Sequence, residues 1–308
     1  MILCICPNPS IDTYAWLNTF NYGGTNRIEK LREYPGGKGT HVAFALKNMD
    51  MEVSLFGNWA GNNGEWIKNE VTKAGIRPLG IPLKGNNRKC YTFRSQDEAF
   101  DNTEILEPGP EMREGDWEKF LKKFTKQVPK HDIICMSGSW PKGAPEDAYL
   151  QLLKICTTYD KRAILDCSGI QLKNALKTPF YGLHINEHEA MEAFGANSDV
   201  KVFDYLRDKV SLIALTKGKE GLHLYANNKM LHANVVIDKV FSTVGSGDCL
   251  TAGITYGIYN GLSLEDIAKY GVACGAANCL NEDLGMLKAS DVERLFRKAT
   301  VSSTASSV

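Results

Sequence analysis

Short apolar runs alternate with longer amphipathic stretches along most of this chain, and that alternation leaves few folds open to it. Residues 2–6, 53–56, 133–136, 163–165 and 212–215 are compact runs rich in Ile, Leu, Val and Cys. Between and beyond them, residues 65–73, 116–126, 146–156 and 264–280 place apolar side chains three and four positions apart, the spacing that gives a helix one apolar face. Strands apolar on both faces, separated by such helices, predict an α/β fold with a largely parallel sheet flanked by helices.

Two regions break the alternation. Residues 12–34 and 88–106 read as short, half-polar strands with no helix between them. They predict a small β-sheet lid attached to one large domain spanning residues 1–308. The Ser-, Thr- and Ala-rich tail, residues 301–308, is expected to fray.

Composition removes several classes of function. Lys plus Arg equals Asp plus Glu at 36 each, so no overall basic field favours nucleic acid or an anionic membrane. No apolar run approaches membrane-span length, and the opening residues lack the positive region of a signal peptide. The nine cysteines are scattered, with no Cys-x-x-Cys pair, which predicts buried reduced thiols and a cytoplasmic protein.

The densest motif is Phe-Ser-Thr-Val-Gly-Ser-Gly-Asp-Cys-Leu-Thr-Ala-Gly, residues 241–253. Val235, Val236 and Ile237 upstream predict a strand, and the residues from Asp248 onward a helix. Gly245, Ser246 and Gly247 then form a turn opening a helix, whose first amides lack partners at its positive end. That suits a phosphate or a developing oxyanion. Asp248 adds a carboxylate where an attacking hydroxyl must lose its proton, and the combination suggests phosphoryl transfer to an alcohol. A dinucleotide-binding pattern fails because Leu250 occupies the place of its third glycine, and no window supplies a P-loop. An ordinary helix start fits the same residues.

Other segments suit the same chemistry. Asp12, in Asn8-Pro9-Ser10-Ile11-Asp12, falls just past the first strand, where open α/β sheets bind ligands; it suits sugar hydroxyls or a plain turn. In Pro35-Gly36-Gly37-Lys38-Gly39-Thr40-His41, Gly37 and Gly39 let the backbone approach a ligand. Lys38 supplies a point charge and Thr40 is placed to cap the next helix; a flexible turn with a solvated lysine also fits. Asn186 and Glu189 share a helix face at three-residue spacing, suited to the water shell of Mg²⁺ or to nucleotide phosphate. Their neighbours Glu187 and His188 read as a first-turn acid and a surface histidine. Thr216, Gly218 and Gly221 form either a turn past a nucleotide or an ordinary β-turn.

Taken in this order, the segments resemble the ribokinase-like (PfkB) carbohydrate kinase family over nearly the whole chain. The similarity is greatest to its branch of 1-phosphofructokinases and tagatose-6-phosphate kinases. It is carried by the segments above together with Asn26-Arg27, Thr103-Glu104-Ile105-Leu106-Glu107-Pro108-Gly109-Pro110, Ser137-Gly138-Ser139-Trp140-Pro141 and Leu165-Asp166-Cys167-Ser168-Gly169. The resemblance implies a ribokinase-like fold with a β lid often used for dimer contacts, ATP as donor, and Mg²⁺. It implies Asp248 as base and the amides of Gly245, Ser246 and Gly247 as the anion pocket. Asp12, Gly37, His41 and Ser137 would bind the sugar substrate, and Arg27, Lys38 and Arg88 its existing phosphate. Asn186, Thr216, Gly218, Gly221 and Val244 would line the nucleotide, and Glu189 would serve the metal.

The chain departs from the family pattern at several positions. His41 stands where Asn is usual, Ser242 where an acid or amide is usual, and His184 where a lysine is common. Cys90, just after Arg88, resembles the tagatose-6-phosphate kinases, whereas Asn is more usual in 1-phosphofructokinases. The expected activity is ATP-dependent phosphorylation of a ketohexose monophosphate to a bisphosphate, with fructose 1-phosphate first and tagatose 6-phosphate second. Two readings remain beside it. A kinase of an unphosphorylated sugar or nucleoside would give Arg27, Lys38 and Arg88 nothing to neutralise. A non-catalytic sugar-binding protein is the reading suggested by His41, Ser242 and His184.

Overall fold

A computed structural model of the chain describes residues 1–97, 99–196, 198–281 and 287–304. The first third contains β1 (Ile2–Cys6), β2 (Ser10–Leu17), β3 (Lys30–Gly36), α1 (Lys38–Asn48), β4 (Val53–Ala60), α2 (Gly61–Lys73), β5 (Arg77–Leu83), β6 (Arg88–Ser95) and β7 (Thr103–Leu106). Then come α3 (Asp116–Gln127), β8 (Ile133–Ser137), α4 (Ala148–Thr158), β9 (Arg162–Asp166), α5 (Gly169–Ala175), β10 (Phe180–Asn186), α6 (Glu187–Phe194) and α7 (Asp199–Leu206). The remainder holds β11 (Val210–Thr216), β12 (Leu222–Ala226), β13 (Lys229–Asn234), α8 (Ser246–Tyr259), α9 (Leu264–Cys279), α10 (Ala289–Lys298) and β14 (Thr300–Thr304).

The main sheet has ten strands in the order β14-β13-β12-β11-β10-β9-β8-β1-β4-β5. Strands from β11 through β5 run parallel, and β12 to β14 extend the sheet antiparallel. Along β1, Ile2, Cys4 and Cys6 join the core on one side of the sheet, and Leu3 and Ile5 the core on the other. Burial on both faces is why this run is apolar throughout. The first core is completed by α1, α2, α8, α9 and α10, the second by α3 to α7. From β1 the chain builds outward through β4 and β5 on one side and through β8 to β11 on the other. The reversal between β1 and β8 leaves a crevice at the carboxyl ends of the strands, where such sheets bind ligands.

A separate four-stranded sheet has the order β3-β2-β6-β7. Its roots are fixed by buried Asn87, which donates to the carbonyls of Pro9 and Asn58 and accepts from the amide of Ala60. One side chain thereby ties the starts of β2 and β6 to the carboxyl end of β4.

Two expectations are corrected. Val235, Val236 and Ile237 are not a strand, because β13 ends at Asn234 and its side-chain carbonyl accepts the Val235 amide in place of a neighbouring strand. The tail is not frayed from residue 301: β14 pairs with β13 through Thr304, and residues 305–308 lie outside the described residues.

Candidate active site

Parallel strands deliver polar side chains at their carboxyl ends: Ser137 from β8, Asp166 from β9, Asn186 from β10 and Thr216 from β11. The last three face a cavity of about 860 Å³ together with Asp12 and Asp248. Ser137 is buried and lines an adjoining cavity of about 490 Å³ that shares Lys38, Arg88 and Glu189 with the first.

One part of the larger cavity is made by the start of α8. Gly245 precedes the helix at φ 79°, a left-handed conformation that glycine adopts freely. The amides of Gly245, Gly247 and Asp248 meet no backbone acceptor among the described residues. The Ser246 amide donates to the Thr243 carbonyl (3.1 Å) and is already engaged, which corrects its expected place in the anion pocket. Val244, Thr216, Gly218 and Gly221 line the same cavity, as does Asn186. So do Val235, Val236 and Ile237, which form an apolar wall.

The other part of the larger cavity is built from side chains on separate elements. Asp12 is the third residue of β2, and Ser10 Oγ donates to its Oδ1 (2.6 Å). Gly36 makes room for that carboxylate: a Cβ there would lie 2.0 Å from Asp12 Cγ. Gly37 follows at φ 95° as the residue capping α1, so Thr40 lies inside the helix and does not cap it. His41, one turn into α1, reaches both acids. Its Nδ1 is 2.8 Å from Asp248 Oδ2, and its Nε2 is 3.0 Å from Asp12 Oδ2, an ion-pair distance without straight hydrogen-bond alignment. Burial opposes charge on this imidazole, but its contacts with Asp12 and Asp248 outweigh burial and raise it from 6.5 to about 10. Burial likewise acts to raise the Asp12 carboxyl, and His41, Ser10 and Arg88 bring it below its ordinary value.

Lys38 and Arg88 differ. Lys38 Nζ sits 2.7 Å from Asp166 Oδ1 and 3.6 Å from Glu189 Oε1. The negative charge of Asp166, foremost, holds the ammonium well above its ordinary value, against burial. Asp166 is buried, yet Lys38 and His184 overcome that burial and hold its carboxyl low. His184 continues the chain of contacts, with Nδ1 3.1 Å from Asp166 Oδ2 and Nε2 3.3 Å from Thr216 Oγ1. Lys38 is therefore already charge-paired rather than a free clamp for phosphate. Arg88, the first residue of β6, donates through Nε to the Asn8 carbonyl (3.3 Å) and makes no ion pair among the described residues. Arg27 stands exposed on the loop before β3 and lines neither cavity.

Asn186 and Glu189 both line the larger cavity, and each also holds the other's backbone. Asn186 caps α6, its side chain accepting the Glu189 amide while Glu189 Oε2 accepts the Asn186 amide, a reciprocal capping box. The Asn-x-x-Glu spacing carried that signal. Asp166 had no role assigned from sequence; a lone acid ending an apolar strand was the available clue.

Residues 7–287 match the pfkB family of carbohydrate kinases, and the chain belongs to that family. It is an ATP-dependent sugar kinase with the ribokinase-like α/β fold. Among its relatives, the 1-phosphofructokinase of Bacillus subtilis (strain 168) is 31% identical over 291 residues, 92% of this chain and 94% of that protein. Two solved structures share the fold. Phosphofructokinase-2 from Escherichia coli in complex with potassium has a TM-score of 0.86 at 21% identity, covering 96% of this chain and 98% of that one. A carbohydrate kinase from Agrobacterium tumefaciens has a TM-score of 0.77 at 18% identity, covering 98% and 99%.

Proposed function

We propose that the chain transfers the γ-phosphoryl group of ATP to a ketohexose monophosphate, giving a bisphosphate, with fructose 1-phosphate as the leading acceptor. Arg88 is the observation that carries the phosphorylated acceptor. It faces both cavities without a carboxylate partner among the described residues, close enough to Asp12 to help lower its carboxyl. A neutral sugar would leave that cation unmatched. Similarity to the B. subtilis 1-phosphofructokinase supports the same choice.

In this reading Asp12 and Gly37 hold the sugar and Ser137 lies toward its phosphate. The acceptor hydroxyl meets Asp248, whose Oδ1 takes the proton because Oδ2 is held by His41. Phosphoryl transfer has a loose transition state, so alignment and neutralisation of spreading charge do most of the work. The amides of Gly245, Gly247 and Asp248 supply that neutralisation. Val244, Thr216, Gly218, Gly221 and Asn186 border the nucleotide, whose base fits the apolar wall of Val235 to Ile237.

The family also implies Mg²⁺. Among the described residues no group of three or more His, Cys, Asp or Glu side chains is placed to cage a metal. Glu189 alone suits the water shell of an ion carried by the nucleotide phosphates, which is how Mg²⁺ usually sits in such sites.

The small sheet acts in this proposal as a lid and as the contact of a homodimer, since Leu31, Ile105 and Leu106 stand exposed on its strands. Arg27 then meets a phosphate only through lid movement or such a contact. No helix among the described residues is long and apolar enough to cross a membrane, and a cytoplasmic location completes the proposal.

Tagatose 6-phosphate is the second reading, favoured by Cys90 lining the cavity near Asp12. ADP release measured across fructose 1-phosphate, tagatose 6-phosphate, fructose 6-phosphate, fructose and nucleosides tests both. The highest kcat/KM is expected with fructose 1-phosphate. Equal turnover of fructose would overturn the role of Arg88, and no ADP release with any acceptor would overturn the kinase reading.

A further inference from the structure

We infer that His41 is a charged strap, holding the sugar-side carboxylate of Asp12 and the base carboxylate of Asp248 in one arrangement that fixes where the acceptor sits and which Asp248 oxygen takes its proton. The inference rests on the sugar-phosphate kinase reading above and adds a positioning residue to it.

The geometry requires a cation at this place. Asp12 comes from β2, Asp248 from α8 and His41 from α1, and all three side chains are buried. Two buried carboxylates brought to one site repel each other unless a positive group lies between them. A neutral imidazole has a single N–H, so one of its nitrogens would turn a lone pair toward a carboxylate. Contacts of 2.8 and 3.0 Å on both sides therefore call for the doubly protonated ring.

The other groups around the site agree. Arg88 on β6 adds positive charge beside Asp12, and Glu104 on β7 is a further carboxyl nearby, pushed up by burial and by Asp12. Cys6 on β1 is a neutral thiol, pushed up by burial. Lys38, on the same helix as His41, is already matched by Asp166. The two ends of the strap also differ. The Asp248 end is an aligned hydrogen bond, whereas the Nε2 end is buried without an aligned acceptor. The base is thus held by an aligned bond, and the sugar-side carboxylate by its ion pair with His41 together with the Ser10 hydroxyl.

The test has a spectroscopic arm and a kinetic arm. ¹⁵N-histidine NMR of the wild-type protein should show His41 doubly protonated at pH 7.5, losing a proton near pH 10. In Asp12→Asn and in Asp248→Asn that midpoint should fall. His41→Asn places an amide nitrogen near the Nδ1 position and keeps only the Asp248 contact; His41→Gln reaches the Nε2 position and keeps only the Asp12 contact. With fructose 1-phosphate, His41→Asn should chiefly raise the sugar KM and His41→Gln chiefly lower kcat, each by about 10- to 100-fold, the range for losing a charged hydrogen bond. The KM for ATP should stay unchanged in both. A neutral His41 in the wild-type protein at pH 7.5 overturns the strap, as do wild-type kcat and sugar KM in both variants. The NMR arm needs no turnover, so it decides the strap even if no sugar tried is phosphorylated.

Discussion

The two parts of the cavity are made of different material. At the start of α8 the working groups are backbone amides from one short stretch, with a single acid, Asp248, in the first turn. In the other part they are charged side chains from four elements: Asp12 on β2, Lys38 and His41 on α1, Arg88 on β6 and Asp166 on β9. The backbone part carries partial charges that cannot titrate and is set by local conformation. The side-chain part holds full charges, paired by the tertiary fold except at Arg88. In the proposed function the first serves the nucleotide's phosphate and the second selects the acceptor, where one substitution alters charge and shape together.

Asp248 joins the two parts, so its loss should have the largest effect. Asp248→Asn should lower kcat by about 10²- to 10⁴-fold, the usual range for removing a general base, with the KM for ATP near wild type. Initial rates of ADP release measure this, and near-normal turnover would remove the base from Asp248.

Asp166→Asn should separate structure from chemistry in the side-chain part. It removes the buried anion beside Lys38, whose side chain is 41% exposed and keeps Glu189 within 3.6 Å, and should cost about 1 to 2 kcal/mol of folding stability, less than the scale for a fully buried pair. An unchanged urea midpoint would show that the pair contributes little. Arg88→Ala comes next: the KM for the sugar phosphate should rise about 10- to 100-fold while that for ATP holds. Equal shifts in both would move Arg88 to the nucleotide.

The smallest effect is one of pH on stability. His41 is raised from 6.5 to about 10 on folding, so its contribution is complete below pH 6.5 and is lost as pH climbs through about 10. Asp12 works in the opposite sense: its lowered carboxyl contributes fully above 3.8 and loses that contribution as pH falls below it. Thermal melts from pH 6 to 10.5 should therefore show a steeper alkaline decline for the wild-type protein than for His41→Asn. Parallel curves would argue that the imidazole gains no charge on folding.

How much of this could be read in the residues follows the same division. The glycine turn opening α8 was legible because its conformation lies in consecutive residues and needs no distant partner. Strands with unbroken apolar runs, such as Ile2–Cys6, were legible for a related reason: burial on both faces leaves a plain composition. β10 was not, since Gly182 and His184 interrupt its run. Val235 to Ile237 misled because β-branched residues suit an apolar wall as well as a strand, and the backbone pairing that separates the two cases depends on distant chain. The spacing of Asn186 and Glu189 suits a ligand and is also that of a capping box, and the structure shows the box at the rim of the cavity. The pairing of Lys38 with Asp166 spans 128 residues, and that of His41 with Asp248 spans 207. No local pattern announces contacts of that kind.

The placement of Asp166, Asn186 and Thr216 as the final residues of β9, β10 and β11 has a consequence for descent. A mutation at one of these tips leaves the ladder beneath it paired, because the strand's apolar body secures that, and its structural cost is confined to the contacts of the tip itself: the Lys38 pair at Asp166 and the α6 cap at Asn186. Lineages built on this frame can exchange one recognition group at a time while the scaffold keeps folding, and a position such as His184, two residues inside a tip, is where such drift begins to reach the interior.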